Sequence, residues 1–147
     1  MDDKVFLLNK LNLVNAILGN DVESVTAVIT DLNAITLTTD QITSIKETLI
    51  SLFDGDITDL NIDLIKSVIN QINEINKNYL LNLLELKTLS LRDSSSKAII
   101  QQKLQDTSIV FDNDSDKYNY YYILSNYAIV LKDRTLIQAA ITTVQAL

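Results

Sequence analysis

Hydrophobic positions recur at helical spacing along most of the chain. Leu7, Leu11, Val14 and Leu18 step by four, three and four residues, which places them on one face of a helix that stops at Gly19-Asn20. The spacing predicts a first helix with this stripe as its packing face. Asn20 and Glu23 have the form of a capping box, and Val22, Val25, Val28 or Ile29, and Leu32 continue at helical spacing as a second helix. A further capping box, Thr38 with Gln41, precedes Ile42, Ile45, Leu49 and Leu52 or Phe53, so a third helix runs to Asp54-Gly55.

Beyond a cap region at residues 56–59, the stripe Ile65, Val68 or Ile69, Ile72, Ile75, Tyr79, Leu83 and Leu86 predicts one long central helix over about residues 60–90. The weakest helix formers in it are Asn76 to Asn78, the place for a kink. Residues 92–96 read as a loop or as the cap of a helix over 97–105. The cap cluster 112–116 opens a helix through the tyrosines to Leu131, and Asp133 caps a last helix to Ala146. Residues 34–38, 87–92 and 107–111 alternate or are β-branched, which also suits short strands. Two Gly-Asn-Asp and Gly-Asp stretches, at residues 19–29 and 55–64, read as two helices that each begin after such a turn.

The fold expectation is therefore mostly α: one helical domain over residues 1–147, a bundle of six to seven helices around the long central one, with room for a short β-ladder. A bundle of this size sheltering a central helix is similar to the Bcl-2-like folds, although the Asn-Trp-Gly-Arg signature of the cellular family is missing. That resemblance implies a groove for a partner helix.

Composition narrows the chemistry. The chain of 147 residues is 47% hydrophobic, too apolar for disorder, and it has no cysteine, histidine or proline. Disulfides, thiolate metal sites and Cys or Ser-His-Asp nucleophiles are excluded. The commonest acid-base group near neutral pH is missing as well. Residues 1–70 hold four lysines against eleven acids, whereas residues 71–147 balance eight cations with eight acids, so the net charge of −7 sits in the first half. An acidic chain lacks the footprint of a nucleic-acid binder. The uncharged runs 118–131 and 135–147 are too short to span a bilayer, and the acidic start at Asp2-Asp3 is unlike a secretory signal. Ile, Asn, Lys, Tyr and Phe total 52 residues against 12 of Ala, Gly, Pro and Arg, the mark of an AT-rich gene such as many phages, large DNA viruses, mollicutes and low-GC bacteria carry.

Few residues suggest a site. Asp112, Asp114 and Asp116 have the opening spacing of a calcium loop, but Lys117 stands where glycine would turn the chain and Ile123 where a glutamate would close the shell. A helix cap accounts for them better, and the same holds for Asp54, Asp56 and Asp59. Glu74 and Glu85 would share a face of the long helix as solvated acids. No metal, cofactor or catalytic residue is expected. Five of the six tyrosines fall between residues 118 and 127, with Tyr118 and Tyr121 or Tyr122 expected on the core stripe and Tyr120 and Tyr127 on another face. The terminal helix repeats Leu136, Ala140 and Val144 without a charge. Tyrosine is enriched at interfaces, so the candidate contact surface is Tyr118, Tyr120, Tyr121, Tyr127, Leu136 and Val144. The expected role is a non-enzymatic structural or assembly component of a phage or virus, oligomeric, with a protein partner that is self or other, in the virion or host cytoplasm. The competing expectation is an adaptor that binds a partner helix in an apolar groove.

Overall fold

The computed structural model describes residues 2–147, and helix is the only regular secondary structure among them. Eight helices follow in order: α1 (Asp3–Leu18), α2 (Val22–Asn33), α3 (Thr39–Phe53), α4 (Ile62–Gln71), α5 (Lys77–Thr88), α6 (Ser95–Gln105), α7 (Asp114–Leu131) and α8 (Arg134–Gln145). The expected six or seven become eight because the long central helix is two. The chain groups into two compact units, residues 1–87 and 88–147.

The break between α4 and α5 is held by a residue from α2. Ile72 leaves the helix with ψ 120°, and the Asn33 side chain holds the turn, donating to the Gln71 carbonyl at 2.7 Å and accepting from the Asn73 N–H at 3.1 Å. Asn76 then restarts the helix by accepting from the Tyr79 N–H at 3.1 Å, in the manner of an N-cap. Ile72 and Ile75 stay buried through the turn, so the apolar stripe runs on although the helix does not. Glu74 lies in that turn, and it does not share a helix face with Glu85.

Caps decide most other boundaries. Thr38 and Gln41 make the reciprocal capping box that the sequence predicts. At α2, by contrast, Asp21 rather than Asn20 caps, accepting from the Ser24 N–H, while Asn20 takes a left-handed φ of 53° that ends the preceding turn. Gly55, at φ +105°, occupies backbone that side chains other than glycine rarely adopt. Residues 34–38, 87–92 and 107–111 form no strand. The first and last of these segments are irregular connectors in which Leu37 and Ile109 are buried, and without a neighbouring strand there is no ladder to join.

In the first unit α1 packs on α2 and α3, and α2 on α4. Its buried side chains include Leu13, Ile17, Leu32, Ile45, Leu49, Phe53 and Tyr79. The orientation of α1 differs from the sequence expectation. Phe6, Asn9, Leu13, Ala16 and Ile17 face inward, while Leu7, Leu11 and Leu18 are 51%, 57% and 61% exposed. In the second unit α6, α7 and α8 each pack on the other two around Ile100, Leu104, Tyr120, Leu124, Ala128 and Leu136.

Candidate interaction surface on α7 and α8

Helix α7 is capped by Asn113, whose side chain accepts from the Asp116 N–H at 2.8 Å, and Asp114 and Asp116 occupy the first turn, where the macrodipole favours acids. The calcium-like spacing is thus a helix start. In the other acidic cluster Asp54 pairs with Lys87 at 3.1 Å, and Asp56 accepts from both the Thr58 N–H and hydroxyl. Among the described residues, no three acids converge on a point that could hold a metal ion.

Eighteen residues of α7 carry two apolar faces. Tyr120, Tyr121, Leu124 and Ala128 form the packed one. Tyr120 is fully buried, with Phe111 at 5.5 Å and Tyr121 edge-on at 5.3 Å between ring centroids. The Tyr121 hydroxyl donates a long bond, 3.5 Å, to the Asp106 carbonyl. Burial, with the nearby Asp106 charge adding to it, pushes that phenol above its ordinary value, so it stays protonated. The other face is Tyr118, Tyr122, Ser125 and Ile129, spaced four, three and four. Tyr118, Tyr122 and Ile129 are 61%, 54% and 60% exposed, and the two tyrosine rings stack 6.1 Å apart.

The second face leads into a groove. Lys132, in the left-handed conformation, ends α7, and Asp133 caps α8 by accepting from the Thr135 and Leu136 N–H groups. An ion pair from Lys97 to Asp133 at 3.5 Å ties α6 to this corner. The helical hairpin buries Leu136 and Ala140 and leaves Ile141 and Val144 exposed. An apolar groove of about 280 Å³ opens between the helices, with Ser125 and Ile129 on one wall and Ile137, Ile141 and Val144 on the other. No charged side chain lines it.

Of the six residues expected at a contact surface, the structure places Tyr118 and Val144 on this face. Tyr120, Tyr121 and Leu136 are core residues and Tyr127 is half-buried, because the register of α7 turns Tyr120 and Tyr121 inward with Leu124. Tyr122, Ile129 and Ile141, which were not among the six, are also exposed on this face. The signal for the first two lay in the 118, 122, 125, 129 spacing, a stripe as regular as the buried one.

The face offers dispersion and desolvation through aromatic and aliphatic carbon, with hydroxyls at its rim. No protein-family model matches the chain, and no curated protein or solved structure matches it.

Proposed function

We propose that this chain is a non-enzymatic assembly protein, of the kind an AT-rich phage or virus encodes, and that it works by self-association, with a second copy covering the α7–α8 face. The observation that carries the reading is the uncharged apolar face of Tyr118, Tyr122, Ile129, Ile141 and Val144. Those side chains expose roughly 500 Å², at the upper end of what a monomer leaves open to water. With the flanking Asn126 and Gln145, about 700 Å² per copy would be covered, a total within the range of stable two-fold interfaces. Charge supports the choice of occupant. Residues 88–147 hold six cations and six acids, so two copies meeting here bring no net repulsion.

Sedimentation across a concentration series tests this. The expected result is a mass that is a multiple of 16.5 kDa and that falls at least one step in Ile129→Asp, with unchanged helix content. A wild-type chain that stays a monomer up to about 100 µM, beyond the affinity such an area supports, overturns the proposal. A monomer whose groove takes up a foreign amphipathic helix would replace it with the adaptor reading.

A further inference from the structure

The stripe Leu7, Leu11, Val14, Leu18 is the strongest periodic signal at the start of the chain, yet it lies roughly 150° round α1 from the buried face, by the 100° turn of each residue. Leu8, 48% exposed, borders it. The helix therefore has two apolar sides, of which its own unit covers one. The mid-helix cation, Lys10, is committed on the inner flank: its ammonium donates to the Ser44 hydroxyl at 2.8 Å and sits 5.7 Å from the Phe6 ring. Between Lys4 and Asp21 the outer side carries no charge.

We infer that α1 is a second self-docking surface, pairing antiparallel with α1 of another copy along the Leu7-Leu11-Val14-Leu18 seam. Spacings of four, three and four are those of a coiled-coil seam. In the antiparallel register Leu7 meets Leu18 of the partner and Leu11 meets Val14, so a single stripe is self-complementary in four layers. A parallel pair would set Lys4 beside the partner's Lys4. The antiparallel pair instead takes each Lys4 to the C-terminal end of the partner's α1, whose last turn holds no basic residue and beside which Asp21 lies exposed. Leu7, Leu8, Leu11 and Leu18 expose roughly 400 Å² per copy, and with Lys4 and Asn15, which flank the seam, the pair reaches the ~1,000 Å² a specific contact requires. Together with the α7–α8 contact, this gives the chain two different two-fold surfaces, so that assembly can continue beyond a dimer.

The chain contains no cysteine, so introduced ones report without background. Leu7→Cys and Leu18→Cys chains, each otherwise full length and both at exposed positions, are oxidised separately and as a mixture. The expected result is a disulfide-linked dimer in the mixture, made of one chain of each kind, and little from either alone. Self-crosslinking of either variant, as a parallel pair would give, or no crosslink in the mixture, overturns the inference. The same mixture carrying Ile129→Asp separates this seam from the α7–α8 face. A crosslink that persists there shows that α1 pairs with α1 independently of that face, and one that disappears overturns the inference. If the crosslink forms but Ile129→Asp leaves the native mass unchanged, the α7–α8 proposal fails while the α1 seam stands.

Discussion

Replacing Leu13 or Leu11 by alanine removes the same three carbons from the same helix, two residues apart, and the structure separates the consequences. Leu13 is 1% exposed, so its truncation loses the full transfer energy and leaves a cavity, about 3 kcal/mol in a packed site. Leu11 is 57% exposed, so less than half of its side-chain surface returns to water and no cavity forms, a cost of about 1 kcal/mol or less. Urea unfolding followed by far-UV circular dichroism at about 1 µM, where a contact of this size is open, should show the difference as a lower midpoint with unchanged slope. In a thermal scan Leu13→Ala should lower the midpoint by about 9 °C and Leu11→Ala by about 3 °C or less. As concentration rises, the Leu11→Ala deficit should grow by mass action, since the seam holds only the folded chain, while the Leu13→Ala deficit should not. Equal losses in dilute solution, or a larger one at Leu11, would make the 7-11-14-18 stripe the core face and refute both the packing of α1 and its pairing.

Gly55→Ala should destabilise by about 1–2 kcal/mol through backbone strain alone, since open space surrounds the added methyl; urea midpoints check this against Gly19→Ala, which instead meets the Asn15 carbonyl at 3.2 Å. Asn33→Ala should cost about 1–2 kcal/mol and raise the hydrogen-exchange rate at the Asn73 amide, because one side chain satisfies both sides of the α4–α5 break. Stability should be flat between about pH 5 and 7, since the chain has no histidine to titrate there. Below about pH 4 it should fall. Hydrogen bonds from Ser24 to Asp21, Thr58 to Asp56, Ser95 to Asp93, Ser108 to Asp106 and Leu136 to Asp133 hold these carboxyls below their ordinary 3.8, so their contribution is complete above that value and disappears as pH drops through the lowered ones. A loss of stability centred near pH 6 in a urea-midpoint series would contradict this.

Periodicity and caps carried the helical class, the Thr38 capping box, the Asp133 cap and the acidic start of α7, because each is local and is satisfied within a turn of the chain. Absent histidine and cysteine likewise closed whole classes of chemistry without reference to any fold. Three matters lay beyond local pattern. The continuous stripe from Ile65 to Leu86 has the same spacing whether the helix runs on or breaks, and the break is made by Asn33, some forty residues away in sequence. The runs near residues 36 and 109 could extend, but a strand exists only where another strand pairs with it. Above all, α1 and α7 each carry two apolar stripes of helical spacing, and spacing alone does not rank them. Packing does: Leu13 and Leu124 face neighbouring helices, and Leu11 and Ile129 are left for water or for another chain. Which side of a helix is core is a property of what surrounds it, so the sequence by itself determined that this chain is built of helices, and tertiary structure decided which of their apolar faces remain to make contacts.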